Sequence, residues 1–400
     1  MVKVAEAEAI IQGQCRDFGA EIIPFDQALG RVLAEDLQAD RDFPPFNRVT
    51  MDGIAIQFQA FEKGNRSFKI KATQAAGEPA KELQEEADCI EIMTGAVLPQ
   101  TTDTVIRYED LEIQNGVATL LTENIKAGQN IHRQGKDKRQ GGIVASANQV
   151  ITPALMNVAA SVGATEIKVK KLPRVVVLST GDELVEVHEK PQPYQIRKSN
   201  SYTIQAALQQ FKVLAELRHL PDNPEQIRTE LLDCLKAYDV ILLSGGISKG
   251  KFDYVPEVLS ELQVETLFQH VQQRPGKPFW FGKHPHGALV FAFPGNPVST
   301  FMCLYRYFFP WLKISFGLDT KKFFACLSTD FTFKPELQYF LQVKLQVSEQ
   351  GKLVAEPVEG NGSGDLTNLV DADAFLELPA ERTHFQAGEV FRVWPFKQLF

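Results

Sequence analysis

The 400-residue chain carries 42 Lys and Arg against 50 Asp and Glu, a formal net charge of -8, with 44% hydrophobic and 23% charged residues. That length exceeds the size at which one hydrophobic core stops growing, so at least two domains are expected, and no stretch has a disordered composition. The acidic balance argues against a broad nucleic-acid or anionic-lipid footprint, which needs clustered Lys and Arg, and no run approaches the roughly 20 apolar residues of a membrane helix. The start, MVKVAEAEAIIQ, is too acidic and too briefly apolar for a signal peptide, so a cytoplasmic location is expected. Cys15, Cys89, Cys234, Cys303 and Cys326 are far apart with no CxxC, which argues against zinc or a disulfide framework. His284 and His286, in GKHPHG, read as a turn.

In chain order, residues 3–16 have helical spacing, followed by strand-like RVLAEDLQA. From 54 to 140 come short alternating runs (SFKIKAT, CIEIMTG, TVIRYEDLEI, VATLLTE) separated by Gly, Pro and Asn turns, a small all-β insertion. TPALMNVAASVG at 152–163 predicts a helix capped by Thr152, with Pro153 first and Gly163 just past its end. The β region interrupts helical material, which suggests that 1–50 and 141–172 form one discontinuous unit around a 51–140 insertion. From 173 to 318 buried strands (RVVVLS, DVILLS, LVFAF) alternate with helices (QAALQQF, VPEVLSEL, STFMCLYRYFFPWL), the pattern of a mostly parallel α/β sheet. From 319 to 400 the period returns to two in FLQVKLQV, AFLELP and EVFRVWPF.

Three of the α/β strands end alike, in a Gly-rich polar turn expected to lead into a helix: VVVLS-TGDEL at 175–184, VILLS-GGISKGKFD at 240–253 and VFAF-PGNPVS at 290–299. Ligands of open α/β sheets bind at such strand ends, where free backbone N–H groups favour anions. Glycine needed for a tight turn explains any one of them equally well. The turns carry Asp182, Glu183, Ser248, Lys249, Lys251, Asp253, Asn296 and Ser299, and carboxylates beside cations suit magnesium held against phosphate. The GxxxxGK match from Gly245 to Lys251 fails as a P-loop, because Phe252 stands where a Ser or Thr should be. In QQRPGKPFWFGK, Arg274 and Lys277 flank a Pro-Gly turn, and two cations there suit an oxyanion such as phosphate or molybdate. PPFNRVTMDGIAI, MTGAVLP, DTVIRYED and AGQNIHRQGKD combine Gly turns with carboxylates and read equally as ordinary β-turns.

Taken in order, MDGIA, MTGAVLP, AGQNI..QGKD, LSTGDELV, SNSY, LSGGISKGKFD, PGKPFWFGK and FPGNPVSTF resemble the motif series of the molybdopterin molybdenumtransferases, the MoeA and gephyrin E-domain type, from about 44 to 310. The resemblance implies a multidomain α/β plus β fold: an elongated discontinuous N-terminal domain with a β insertion, a three-layer α/β molybdopterin-binding (MogA-like) domain, and a C-terminal β domain. It implies a homodimer whose cleft lies between the α/β module of one subunit and N-terminal segments of the other. It further implies that molybdate is inserted into adenylylated molybdopterin with loss of AMP, that Mg2+ bridges the pyrophosphate, and that a molybdopterin adenylyltransferase is a transient partner. The same module also serves adenylyltransferases and related phosphoanhydride enzymes, and gephyrin-type proteins act as scaffolds; the MDG and MTGA segments favour insertion.

Carried over motif by motif, the resemblance makes Asp52, Thr94, Asp137, Glu183 and Asp253 catalytic candidates, with Glu183 and Asp253 as magnesium ligands. Gly181, Asp182, Ser199, Asn200, Gly245, Gly246, Ser248, Pro294, Gly295 and Asn296 are candidates for holding pterin and phosphate. Arg274, Lys277, Ser299 and Ser363, the last in GNGSGD, match the oxyanion pocket. Four positions depart from the family pattern: Lys198 replaces an Asp, Arg274 a Lys, Ile54 an aromatic residue, and LQYFLQ at 337–342 lacks expected basic residues.

Overall fold

The structure, a computed structural model, describes residues 1–247, 254–360 and 362–397. At its centre three parallel strands, Val175–Thr180, Val240–Ser244 and Leu289–Phe293, are buried at every position. Alternate residues feed two cores: Val175, Val177, Val240, Leu242, Phe291 and Phe293 on one face, and Val176, Leu178, Ile241, Leu243, Val290 and Ala292 on the other. Such continuous apolar runs are stable only with helices over both faces, and that is the arrangement found. Helices Asn200–Gln209 and Pro297–Cys303 cover the first face, Pro224–Ala237 and Val255–Glu261 the second. Ala215–Leu220 extends the sheet in parallel on one side, and an antiparallel pair, Pro278–Lys283 and Glu265–His270, completes it on the other.

Within 173–318, two details differ from the sequence expectation. The first Gly-rich turn does not run into a helix; it enters a ribbon of Leu184–Val185 against Ile196–Arg197, and the helix begins only at Asn200. The single helix expected over STFMCLYRYFFPWL is interrupted by a π-helical segment, Leu304–Phe308. Pro310, in the following helix Phe309–Ser315, has no N–H to complete an i→i−4 ladder, which accounts for the shift.

In the N-terminal part, Ala20–Pro24 pairs antiparallel with Glu166–Lys170, and Leu33, Ile151, Leu155, Ile167 and Val169 share one small core. Thr152 caps helix Pro153–Ser161 through a bond from the Leu155 amide at 3.3 Å. Helix Val4–Gln12 packs elsewhere: Val4, Ala7 and Ile11 join the core of the α/β sheet, whereas the sequence expectation grouped 1–50 with 141–172. A six-stranded sheet occupies the middle of this half, with Ser67–Gln74 parallel to Asp88–Ile92 and a short helix Phe58–Glu62 that the alternation did not predict. Gly53 is required here, since any Cβ would collide with the Ile106 carbonyl of the neighbouring strand.

The C-terminal strands Gln338–Val347, Leu353–Pro357, Phe323–Leu327, Val390–Pro395 and Ala374–Leu378 pair in that order and close on themselves through Gln338–Val347 and Ala374–Leu378, a five-stranded barrel. Gln273–Arg274, from the α/β region, pairs in parallel with Gln338–Tyr339 at its edge.

Candidate active site

The three parallel strands end in register, with Ser179 beside Ser244 and Ser244 beside Phe293. Their turns therefore stand side by side at one rim. Asn200, first residue of its helix, ties them together: its amide donates to Ser244 Oγ at 2.8 Å and to the Gly295 carbonyl at 2.7 Å. Between the turns and the Leu184–Val185/Ile196–Arg197 ribbon lies a cleft of about 930 Å3. Gly181, Glu183, Ser199, Asn200, Gly245, Gly246, Pro294, Gly295 and Asn296 all line it, as do Thr180, Lys198 and Asp222. Asp182 does not; its carboxylate accepts the Asp222 amide at 3.1 Å and its own amide reaches Asp222 at 3.4 Å, a loop-to-loop clasp. Ser248 and Asp253, with the Gly250–Lys251 end of the P-loop-like string, lie outside the described residues.

A second cavity of about 470 Å3 adjoins the first, and Pro278, Pro294 and Asn296 line both. Arg274, Lys277, Ser299 and Ser363 all line this second cavity. Ser363 arrives from the C-terminal part and accepts from the Asn296 amide at 2.9 Å. Neither Arg274 nor Lys277 has a carboxylate partner among the described residues, so both charges are free to face the cavity. The sequence did not show what LQYFLQ contributes: Tyr339 and Gln342 form part of this wall, and Gln342 Oε1 is buried without a hydrogen bond among the described residues. Tyr339 stacks on Phe333 at 4.1 Å, and Arg274 lies over the same ring at 5.9 Å. Burial pushes the Tyr339 phenol up, against the opposing pull of Arg274. Period-two alternation marked the strand but carries no signal for which end faces a cavity.

Lys198, the reversed charge, points into the larger cleft rather than the cationic one, and it is spent on Glu186 at 2.5 Å. Tyr202 donates to the same carboxylate at 3.0 Å. Bonds from Lys198 first, and from Tyr202, hold Glu186 below the usual carboxylate range.

The N-terminal candidates form a separate group. Asp52 accepts the Thr94 amide at 2.6 Å, a bond that holds its carboxyl below the usual range. Asp137 meets His132 at 2.8 Å, and His132 lies 3.4 Å from Arg48 on the paired strand. No residue before 173 lines either cavity. Ile54 is fully buried in the insertion sheet and points into its core, away from this group.

For magnesium, Glu183 and Asp222 are carboxylates on the cleft wall, and no cluster of three ligating side chains occurs among the described residues. That donor set fits a hard cation bound by one or two carboxylates plus substrate phosphates, not an all-protein cage. No helix of the described residues is long and apolar enough to cross a membrane.

Family models match almost the whole chain: the MoeA N-terminal region (domain I and II) over 2–163, a probable molybdopterin binding domain over 176–314, and the MoeA C-terminal region (domain IV) over 325–396. A molybdopterin molybdenumtransferase of Synechocystis sp. is 42% identical over 395 residues, 98% of this chain and 99% of that protein. One of Haemophilus influenzae is 31% identical over 384 residues, covering 95% and 94%. The crystal structure of a molybdopterin biosynthesis moeA protein from Pyrococcus horikoshii superposes with a TM-score of 0.84 at 28% identity, covering 99% of each chain. Matches of this extent, over all three regions and at full length, show that the chain belongs to the molybdopterin molybdenumtransferase (MoeA) family.

Proposed function

We propose that the protein inserts molybdate into adenylylated molybdopterin and releases AMP, as a magnesium-dependent transferase of molybdenum cofactor biosynthesis in the cytoplasm. The observation that carries this reading is the pair of adjoining cavities with different chemistry that meet at Asn296. The larger, walled by strand-end glycines and Asn200, has the room and the backbone donors for a nucleotide-bearing pterin. The smaller presents two cations that have no carboxylate partner among the described residues, with the Ser299 and Ser363 hydroxyls, to a tetrahedral oxyanion.

Gly181, Ser199, Gly245, Gly246, Ser248, Pro294 and Gly295 hold pterin and phosphate in this account, and Asn200 braces the loops that do so. Asp182 braces its loop without facing the ligand. Glu183 and Asp253 are the residues that would hold Mg2+, whose chemistry is to neutralise the pyrophosphate as AMP leaves. Arg274 and Lys277 bind molybdate and fix it beside the pterin edge of Asn296.

Asp52, Thr94 and Asp137 stand apart from both cavities of their own chain, so the complete site is built between two copies, each supplying what the other lacks. This homodimer, rather than a monomer, is the active species, with a molybdopterin adenylyltransferase as the source of its substrate. The functional units are then 1–50 with 141–172, 51–140, 173–318 and 319–400, the first helix excepted, which packs on the α/β sheet.

The test is to incubate the protein with adenylylated molybdopterin, Mg2+ and molybdate. Molybdate-dependent AMP release, with a pterin that activates an apo molybdoenzyme, supports the reading. AMP released equally without molybdate would make the protein a phosphoanhydride hydrolase instead.

A further inference from the structure

The turn that carries the two cations rests on one buried amide. Gln273 is fully buried, at 0% exposure, yet both ends of its side chain are paired. Nε2 donates to the Gly276 carbonyl at 2.9 Å and reaches Cys303 Sγ at 3.6 Å, while Oε1 accepts from the Tyr307 hydroxyl. Tyr307 is itself buried, at 2% exposure, in the π-helical segment Leu304–Phe308. Gly276, at φ +83°, lies directly on this support: a Cβ there would stand 2.8 Å from Cys303 Sγ and 3.0 Å from Gln273 Nε2.

Among the described residues, the other hydrogen bonds of the turn are backbone bonds, and Arg274 also lies over the Phe333 ring. Arg274 is in register with Tyr339 at the barrel edge, and the Lys277 carbonyl accepts the Val271 amide at 3.0 Å. Gln273 therefore supplies a side-chain hydrogen bond beneath 274–277. An apolar side chain would fill the same space at no desolvation cost. An amide buried there is tolerated only because its donor and acceptor are both satisfied, and what it adds is direction. It fixes the Gly276 carbonyl, and with it the angle at which Arg274 and Lys277 leave the turn on either side.

We propose that Gln273, locked by Tyr307, is a positioning residue that aims Arg274 and Lys277 at the oxyanion. This rests on assigning the smaller cavity to molybdate. The test is a double-mutant cycle in the full-length protein, with the molybdate concentration for half-maximal AMP release as the readout, alongside pterin half-saturation and melting temperature. Gln273→Leu is expected to raise the molybdate requirement about tenfold, as for loss of one charge-assisted contact, with pterin half-saturation little changed. In an Arg274→Leu background the same change should have a clearly smaller effect, about threefold, because only Lys277 is then left to aim. Tyr307→Phe removes only the hydroxyl that anchors the amide, keeps the core volume, and should repeat the pattern at smaller size if Gln273→Leu folds poorly. Equal losses in both backgrounds, or losses spread evenly over molybdate, pterin and turnover, would reduce Gln273 to a packing residue and overturn the proposal. If Arg274→Leu itself leaves the molybdate requirement unchanged, the assignment of the cavity fails, and the proposal with it.

Discussion

Asn296 donates its side-chain amide to the Ser363 hydroxyl across 2.9 Å, and the Ser363 carbonyl in turn accepts the Val298 amide at 3.1 Å. A loop at the end of the third parallel strand is thereby stitched to the C-terminal part at the point where the two cavities meet. Ser363→Ala removes the hydroxyl and keeps the backbone link. It should cost about 0.5–1.5 kcal/mol of molybdate affinity, a rise of roughly two- to tenfold in half-saturation, with an unchanged melting temperature. An unaltered molybdate dependence would leave Ser363 as a stitch alone.

Lys198 is committed to Glu186 inside the larger cleft. Lys198→Met should therefore leave molybdate half-saturation unchanged and weaken binding of the adenylylated pterin, because it frees the ribbon over that cleft. Glu186 has a depressed pKa, so its contribution is present above the ordinary carboxylate value and is lost as pH falls through the lower folded value. Pterin binding should weaken on the acid side only, and Lys198→Met should shrink that acid limb, leaving the part that Tyr202 supplies. Titration of pterin binding against pH in both proteins measures it.

On the proposal that Asp253 would hold Mg2+, Asp253→Asn should abolish AMP release while pterin binding stays within about tenfold. Chelation of Mg2+ in the unmodified protein should reproduce the phenotype, and added Mg2+ should restore only the unmodified protein. Normal turnover by the variant would remove Asp253 from the reaction.

Arg306 is 2% exposed and meets Glu8 at 2.8 Å and Glu377 at 3.3 Å, joining the first helix to the barrel. Burial raises the Glu8 pKa, but Arg306 and Arg392 together outweigh it and hold the carboxyl below its usual value. This pairing stabilises the fold at neutral pH and is lost as pH falls through the depressed value. Glu8→Gln should lower stability by roughly 1–3 kcal/mol at pH 7 and flatten the acid decline, read by denaturant melts across pH. Equal acid sensitivity of both proteins would contradict it.

The fold was legible where a pattern had one physical cause. Runs such as VVVLS and VILLS, apolar at every position, fit only a sheet covered on both faces, and Thr152, Pro153 and Gly163 marked a helix at both ends. Placement of the first helix was not legible, because its apolar face fits any core of the right size, and only the three-dimensional arrangement sets Ile11 against the α/β sheet. The π-helical break followed from Pro310, a signal present in STFMCLYRYFFPWL but outweighed by its apolar periodicity. At the site, the strand-end turns were visible as Gly-rich strings. Ser363 was named beside Arg274 only through the resemblance, and the approach of Tyr339 and Gln342 to Arg274 was not legible, since it depends on a parallel pairing across more than sixty residues, for which local sequence has no code.

The central claim is that one site is assembled from the N-terminal group of one copy and the cavities of another. The most direct measurement is molybdate-dependent AMP release by co-expressed Asp52→Asn and Asp253→Asn subunits, each inactive alone. Random pairing makes half the dimers mixed, and one of the two sites in each mixed dimer carries neither substitution, so activity should return to about a quarter of the unsubstituted level. A co-expressed pair as inactive as either parent, with mixed dimers demonstrably present, would contradict the account.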